Sequence, residues 1–363
     1  MSIRVYLKRI DWLLMASAVL LTVMGILTIY SIASSKESFL IFKKQIIFFA
    51  ISIALAIFFT ILDWRNFRDN SYILLFLYGF CILLLIGLFF FAPNIRGVKG
   101  WYKIGGISFD PVNLTEIVLV LLLAKYFSKR HIEMYKVSHI FLSGVYVFLP
   151  ASLIFFQPDF GSALIFIVLW ISILLVSGVK LKHFLLLVLI GLLILVFCWQ
   201  FLLKDYQKAR VLSFLNPEGQ VLSTGWSQAQ SKIAIGSGGF FGKGLKKNFQ
   251  VRYGFLPEPH TDFIFSAIAE EFGLSGVLIL FLLYFILFWR IVKIAKEANN
   301  NFPRLFAIGF LSVLFSQFFI HIGMNVGILP VIGISLPFVS YGGSGLMVMF
   351  LALGILQSIK VHS

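Results

Sequence analysis

Apolar runs that are long enough, or nearly long enough, to cross a membrane recur along the whole chain. A helix needs about 20 mostly apolar residues to span a bilayer. Only 12% of the residues are charged, whereas soluble domains average about 25%. The candidate spans are 11–34, 45–63, 72–92, 113–128, 138–156, 161–178, 182–203, 263–292, 303–327 and 340–359. The sequence therefore predicts an all-α polytopic membrane protein with about ten transmembrane helices.

The spacing of these runs leaves no room for a separate soluble domain of ordinary size. We expect one transmembrane domain over 1–363, in which 204–261 form a large extracytoplasmic loop between the seventh and eighth spans. The formal net charge is +15. Lys and Arg of the short loops concentrate on the side that holds both termini, which indicates that this side is cytoplasmic. Because these bases lie between apolar runs, a nucleic-acid-binding role is excluded.

Two spans and one connection depart from a simple helical pattern. Asn113 and Glu116 lie in the first turns of the fourth span, which predicts a re-entrant or broken element. The eighth span is over-long and is expected to extend into the cytosol. Residues 327–345 contain two prolines and a glycine-rich end, so we expect a non-helical, re-entrant loop that lines a polar groove. Its polar side chains are Ser340, Tyr341 and Ser344.

Ionisable side chains are rare within the spans, where each costs about 2.5–3.5 kcal/mol on insertion scales. Nearly all lie near the outward ends of their spans, which predicts one outward-facing polar site. A buried structural network is the favoured interpretation for at least one of Glu270 and Glu271. A capping role in a tight turn is an equal alternative for Asp159. The set is Glu116, Asp159, Asp262, Glu270, Glu271 and His321.

Asp262 ends the segment Leu256-Pro-Glu-Pro-His-Thr-Asp262, just where the eighth apolar run begins. The two prolines stiffen this approach, and Thr261 is the expected N-cap of the helix. Asp262 would then lie in the first turn, where the helix dipole favours a carboxylate. Such a carboxylate next to basic groups suits a general base. The alternative is a capping acid without chemistry, and His260 is interpreted as a turn residue.

Glycines surround Lys243 in the segment Ile-Gly-Ser-Gly-Gly-Phe-Phe-Gly-Lys-Gly, 235–244. Glycine lets backbone N–H groups approach an anion closely, and lysine supplies charge. The spacing does not match a Walker motif. The alternative is a flexible surface loop, although its several phenylalanines argue against mere flexibility. The sequence contains neither a His/Cys cluster with zinc spacing nor a credible Ser-His-Asp set.

Taken together, several motifs resemble those of the SEDS family (shape, elongation, division and sporulation). The resemblance covers nearly the whole chain and is specific only in combination. Its motifs are Ile10-Asp11-Trp12, Gln157-Pro158-Asp159, Gly236-Ser-Gly-Gly239, Gly242-Lys-Gly244, Leu256-Pro-Glu-Pro-His-Thr-Asp-Phe263 and Leu336-Pro-Phe-Val-Ser-Tyr-Gly-Gly343.

The resemblance implies a ten-span peptidoglycan glycosyltransferase of the bacterial cytoplasmic membrane. Such an enzyme polymerises lipid II at the outer membrane face and works with a class B penicillin-binding protein, a cross-linking transpeptidase. The family's essential aspartate matches Asp262, and the acid of its Gln-Pro-Asp motif matches Asp159. The chain departs from the family pattern Phe-Gln-Pro-Ser-Glu-x-x-Lys, because Asn113 replaces the acid and Glu116 replaces the base.

These considerations predict Asp262 as the general base that activates a sugar hydroxyl. Lys243, Arg210 and Lys99 would steady the departing pyrophosphate, with a divalent cation as a further option. Alternatives are a transporter that flips lipid II, a non-catalytic scaffold, and a division-type member of the same family. The predicted substrate-binding residues are Asp159, Lys243, Arg210, Lys99, Glu258 and Ser344.

Overall fold

The computed structural model describes residues 9–35, 38–94, 99–129, 137–202, 208 and 224–362. In this part of the chain, eight helices are long and apolar enough to cross a membrane, and two shorter apolar helices begin at Phe160 and Leu181. Each coincides with one of the ten predicted spans. The prediction of an all-α polytopic membrane protein is therefore confirmed.

The helices form one bundle, in which most of the long helices pack against helices from distant parts of the sequence. We number them α1 to α13 in chain order. They are α1 Trp12–Ser35, α2 Leu40–Ile61, α3 Arg65–Asp69, α4 Ser71–Phe91, α5 Pro111–Ser128, α6 Val137–Phe156, α7 Phe160–Val176, α8 Leu181–Phe197 with a π-helical turn Cys198–Leu202, α9 Thr224–Ser237, α10 Phe249–Arg252, α11 Ile264–Glu297, α12 Asn301–Val326 and α13 Gly343–His362. A short antiparallel hairpin, β1 Tyr102–Ile104 and β2 Ile107–Phe109, precedes α5.

Helix α5 lies at the centre of the bundle and is continuous, so the prediction of a broken fourth span is wrong. It packs against α4, α12 and α13, and almost all of its residues are buried. The polar residues of its first turns find partners: Asn113 donates to Asp110 Oδ2 at 2.9 Å, and Gln317 donates to Glu116 Oε2 at 3.1 Å. Because these groups are satisfied, the helix does not need to open.

Helix α11 accounts for the over-long eighth span and is kinked at Gly273, where the backbone has φ 65° and ψ −161°. The kink opens two helical hydrogen bonds, which would join the carbonyls of residues 270 and 271 to the N–H groups of residues 274 and 275. The glycine-rich segment 238–244 takes their place. Lys243 N and Gly244 N donate to the carbonyls, and Leu274 N and Ser275 N donate to Gly239 O and Phe240 O, all at 2.9–3.0 Å. All four opened groups are thus paired again.

The region 204–261, predicted as a loop, contains the helices α9 and α10. Much of 204–223 lies outside the described residues. Helix α9 packs against α11 and α12. The expected non-helical connection is present: α12 ends at Gly327, whose φ is 89°, and helical structure resumes at Gly343. These segments, with the starts of α5, α7, α11 and α13, lie at what we call the Asp262 end of the bundle.

The opposite end, which we call the Asp11 end, is held together by a buried ion pair. Arg290 donates to both carboxylate oxygens of Asp11, and Gln357 exchanges hydrogen bonds with the Asp11 backbone. These contacts join α1, α11 and α13. The Asp11 end is thus stabilised by an ion pair, and the polar site predicted from the sequence belongs to the other end, the Asp262 end.

Candidate functional site at the Asp262 end

Asp262 lies in a tight turn, 257–263, that is organised around the carbonyl of Glu258. This oxygen accepts from Thr261 N at 3.2 Å, Asp262 N at 3.2 Å and Phe263 N at 3.4 Å. Glu258 itself lies between two prolines and has φ 41°, a conformation that costs an ordinary residue about 1–3 kcal/mol. Strain of this kind persists only where the surrounding structure enforces it.

The sequence placed the helix start slightly too early. Helix α11 begins at Ile264 and its N-cap is Phe263. Thr261 is therefore not the N-cap, and Asp262 precedes the helix instead of lying in its first turn. The reason is that the Glu258 carbonyl takes up the N–H groups of residues 261–263 in the turn. The helical pattern can start only after them.

The non-helical segment 327–342 holds this turn from one side. Tyr341 N donates to His260 O at 2.8 Å, and Ser340 Oγ donates to Thr261 O at 2.8 Å. Ser340 Oγ also accepts from Leu336 N at 2.9 Å, which fixes its position within its own loop. The predicted neighbourhood of Ser340 and Tyr341 with the Asp262 turn is thus present. These contacts are made to backbone groups of the turn.

Asp262 is a partly exposed residue, and its carboxylate lies against the backbone of Gly333. A Cβ atom on Gly333 would lie 3.7 Å from Asp262 Oδ2. The same segment also packs against the start of α7, where a Cβ atom on Gly161 would lie 2.7 Å from Ile334 Cδ1. Residues 332–334 therefore contact both the Asp262 turn and the start of α7, next to which Asp159 is found. The segment brings these two predicted site residues into one region.

Asp159 caps α7, as the alternative interpretation of its motif predicted. Its carboxylate accepts from Ser162 N at 3.1 Å and from Ser162 Oγ at 2.7 Å. Nearby, Asp110 caps α5 and its own N–H donates to Ser344 Oγ at 3.1 Å. The predicted residue Ser344 is thus adjacent to Asp110. A role of Asp159 or Ser344 in substrate binding stays a prediction.

The two capping carboxylates share an environment that disfavours charge. Burial raises the pKa of Asp110 to about 7, and the nearby charge of Asp159 acts in the same direction. Burial also raises the pKa of Asp159. Among the described residues, neither carboxylate forms an ion pair. This corner of the site is therefore acidic and uncompensated by a base in the described structure.

The remaining predicted residues do not form one cluster: Glu258 belongs to the Asp262 turn itself, while Lys243 and Lys99 contact groups outside it. Lys243 Nζ lies 2.8 Å from Glu270 Oε1, Lys99 Nζ donates to Phe89 O at 3.2 Å, and Glu258 Oε2 lies 3.4 Å from His260 Nε2. Arg210 lies outside the described residues. The ammonium of Lys243 is already engaged by a buried carboxylate, so its role at a pyrophosphate stays a prediction.

Glu270 and Glu271 belong to a buried structural network, as the sequence interpretation favoured for at least one of them. Glu270 also accepts from Gln250 N at 3.2 Å, and Asn248 Nδ2 donates to Glu271 Oε1 at 2.6 Å. No group of three or more His, Cys, Asp or Glu suited to a metal ion occurs in the described parts of the chain. The divalent cation therefore remains a hypothesis without a set of ligands.

One buried polar group at the site was missed by the sequence analysis. Asn325 Nδ2 donates to Asp262 O at 3.0 Å, and Asn325 also contacts Ser266 and Ser231. A signal was present, since His321 and Asn325 are four residues apart and therefore lie on one face of a predicted membrane-spanning helix. His321 Nδ1 lies 2.7 Å from Ile334 O, which ties the same helix face to the segment beside Asp262.

These features define a polytopic helical membrane protein with a partly exposed carboxylate in a polar region at one end of the bundle. The family model described as cell cycle protein, and named for FtsW, RodA and SpoVE, matches residues 9–363. The chain therefore belongs to the FtsW/RodA/SpoVE family of cell cycle proteins.

Curated relatives and solved structures agree with this assignment. Peptidoglycan glycosyltransferase MrdB of Escherichia coli is 39% identical over 287 residues, which are 79% of this chain and 77% of MrdB. Stage V sporulation protein E of Bacillus subtilis is 32% identical over 364 residues, 97% of each chain.

Two solved structures match the fold along nearly its whole length. A chain from a peptidoglycan synthase complex, described for its structural coordination of polymerization and crosslinking, has a TM-score of 0.82 at 29% identity and 97% coverage of both chains. The rod shape determining protein RodA of Thermus thermophilus has a TM-score of 0.72 at 27% identity, covering 97% of this chain and 96% of that one.

Proposed function

We propose that this protein is a peptidoglycan glycosyltransferase that polymerises lipid II, with Asp262 as the general base. Family membership and the activity in the printed names of relatives such as MrdB support the reaction class. The observation that supports the residue is the position of Asp262, a partly exposed acidic residue that is held at one end of an apolar helical bundle by contacts to its backbone. A carboxylate in this position can meet a substrate that approaches from the polar end of the bundle.

The reaction needs a base, because a sugar hydroxyl is a poor nucleophile until its proton is removed. In the proposed step, Asp262 accepts the proton of the acceptor hydroxyl while the hydroxyl oxygen forms a bond to the anomeric carbon of the donor. The bond from that carbon to the lipid pyrophosphate breaks, and the pyrophosphate leaves with both bonding electrons. The prenyl chains of the substrates would remain in the lipid phase beside the apolar helices.

The predicted substrate-binding residues divide by position. Asp159 and Ser344 lie in the same region as Asp262, at the starts of α7 and α13, and would contact the sugar or peptide part of the substrate. Glu258 would act mainly by holding the turn. Lys243 and Lys99 would bind the pyrophosphate only by giving up their contacts with Glu270 and the Phe89 carbonyl, and Arg210 is proposed as a third group that binds it.

The cellular setting is proposed by the same reasoning. A multi-pass membrane protein is established by the helices. The asymmetry of Lys and Arg supports cytoplasmic termini and an outward-facing Asp262 end in the bacterial cytoplasmic membrane. One solved relative was determined in a peptidoglycan synthase complex, which supports a class B penicillin-binding protein as the partner. Elongation of the cell wall is the proposed process.

The test is polymerisation of lipid II by purified protein in detergent, where there are no two membrane sides. Asp262→Asn preserves the size of the side chain and removes the base, so glycan formation should fall by about 10²-fold or more. Asp69→Asn, which changes an exposed carboxylate in α3, serves as the control and should retain activity. Undiminished polymerisation by folded Asp262→Asn would exclude the assignment.

The same assay separates the enzyme from a transporter of lipid II. Polymer made in detergent supports the enzyme, because translocation has no meaning there. A protein that moves lipid II across vesicle membranes and makes no polymer in detergent would instead be a transporter.

A further inference from the structure

We infer that Asn325 is a positioning residue for Asp262, and that it acts as the centre of a buried polar node joining α9, α11 and α12. The inference rests on the proposed function, since it concerns the same carboxylate. Its basis is a set of contacts on both sides of one amide. Asn325 Nδ2 donates to Asp262 O at 3.0 Å and to His321 O at 2.8 Å, while Asn325 Oδ1 accepts from Ser266 Oγ at 2.6 Å.

The orientation of this amide is determined by its partners. Both groups near Nδ2 are backbone carbonyls, which can only accept. If the amide were turned over, Oδ1 would face two acceptors and Nδ2 would lose both of its bonds. The –NH₂ group must therefore point at Asp262 O, and its two hydrogens are both used. Side chains without two donors in this place cannot replace it.

The two serines extend the node into the long loop. Ser231 Oγ of α9 lies 2.6 Å from Ser266 Oγ and 2.7 Å from Asn325 O. Together with the bond from Ser266 Oγ to Asn325 Oδ1, these make three short oxygen–oxygen contacts. Only two hydroxyl hydrogens are available for them, because each serine has one to donate. Ser231, Ser266 and Asn325 are all completely shielded from solvent. Water does not compete for these bonds, and a missing donor would leave a buried acceptor unsatisfied.

The consequence concerns the geometry of the base. Asp262 is held by its own backbone: Asp262 N donates to Glu258 O, and Asp262 O accepts from Asn325. Because the carboxylate is attached to this anchored peptide through a short side chain, a shift of the carbonyl displaces the carboxylate as well. A misplacement of about 1 Å can reduce a rate by about 10²-fold. Helix α9, which the sequence assigns to a loop, is thereby part of the support for the base.

The decisive variant is Asn325→Asp, which keeps the shape of the side chain and replaces both donors by an oxygen. We expect kcat for lipid II polymerisation to fall by about 10-fold to 100-fold with little change in KM. Asn248→Asp is the matched control, because Asn248 is equally buried and its side-chain amide contacts Glu271 instead of Asp262. It should lower thermal stability and leave kcat per folded molecule unchanged.

Ser266→Ala is the variant that tests the same inference if Asn325→Asp does not fold. It removes the donor to Oδ1 and leaves the bond to Asp262 O in place, so kcat should fall less, by about 3-fold to 10-fold. Full kcat in folded Asn325→Asp, or in Ser266→Ala if the first variant is lost, would overturn the inference. An equal loss of kcat per folded molecule in Asn325→Asp and Asn248→Asp would also overturn it, because the effect would then be general.

Failure of this inference is distinguishable from failure of the proposed function. If Asp262→Asn polymerises lipid II normally, the assignment of the base fails and the node has no catalytic group to position. If Asp262→Asn is inactive and Asn325→Asp is fully active, only the positioning role fails.

Discussion

Two segments that the sequence singles out, 238–244 and 257–263, have different roles in the structure. Both are rich in turn-forming residues and both contact α11. The first pairs its backbone with the opened turn of α11, and the carboxylates beside it are bound by Lys243 and Asn248. The second presents Asp262 near two capping carboxylates that form no ion pair among the described residues. The comparison teaches that glycine and lysine content alone does not identify an anion site.

The strongest test of this contrast is Gly242→Ala, compared with Gly244→Ala. Both glycines have positive φ, 80° and 88°, so both alanines carry a backbone penalty of about 1 kcal/mol. A Cβ atom on Gly242 would lie 2.1 Å from Glu271 O, whereas nothing lies within 4 Å of one on Gly244. We expect Gly242→Ala to lose several kcal/mol of stability or to fail to accumulate. Thermal unfolding in detergent measures both.

An anion-binding loop would give a different result. Both variants would then fold with similar stability, and both would bind lipid II more weakly. That outcome would restore the phosphate interpretation of the glycine-rich segment and remove the contrast with the Asp262 turn.

The second test separates the two possible roles of Lys243. Lys243→Met leaves the buried Glu270 carboxylate without its partner, which costs about 3–5 kcal/mol in a fully buried pair. The side chain of Lys243 is 31% exposed, so we expect about 2–3 kcal/mol. The double variant Lys243→Met/Glu270→Gln should recover much of this loss, together with polymerisation activity. A double variant that is stable but inactive would show that the lysine also acts on the substrate.

The sequence predicted the spans because long apolar runs are typical of transmembrane helices, and it singled out Asp262 because this acid stands where one of them begins. The sequence analysis missed the features that depend on contacts between residues far apart in the chain. Glu116 suggested a broken helix, since its partner Gln317 lies 201 positions away. Helix α9 is too polar to stand out, and its packing on α11 and α12 decides its structure. The glycine-rich segment fits an anion site or a close backbone contact equally well until the kink at Gly273 is seen.

A third test weakens the Asp262 turn without touching the carboxylate. Ser340→Ala removes the donor to Thr261 O and the acceptor for Leu336 N, two contacts that hold the turn against the non-helical segment. We expect about a tenfold lower polymerisation rate and a stability loss of only about 1–2 kcal/mol. Ser237→Ala, in α9 next to the glycine-rich segment, is the matched control, because among the described residues its hydroxyl donates to Ala234 O within the same helix and to no group of the Asp262 turn. Equal rates for the two variants would mean that the turn does not depend on Ser340.

The smallest expected effect is a pH dependence that belongs to the Asp262 end. Asp110 has a pKa raised to about 7 by burial, while an unfolded aspartate titrates near about 3.9. Between these values the folded protein keeps a proton that the unfolded chain has released. Its contribution to stability is complete below about pH 4, falls as the pH rises, and is lost above about pH 7.

Asp110→Asn should remove this slope, because asparagine does not titrate and still caps a helix well. As the pH rises from about 5 to about 8, the unfolding temperature of the variant should therefore increase relative to that of the wild type. Asp69→Asn should parallel the wild type over this range and differ from it, with the opposite sign, only below about pH 4, since a hydrogen bond from Arg68 lowers the pKa of Asp69 and its contribution is lost in acid. Parallel curves for wild type and Asp110→Asn would mean that Asp110 is ionised in the fold. The corner formed by Asp110 and Asp159 would then be charged. It would resemble Glu270 and Glu271, the carboxylates that contact Lys243 and Asn248 beside the glycine-rich segment, more closely than its structure indicates.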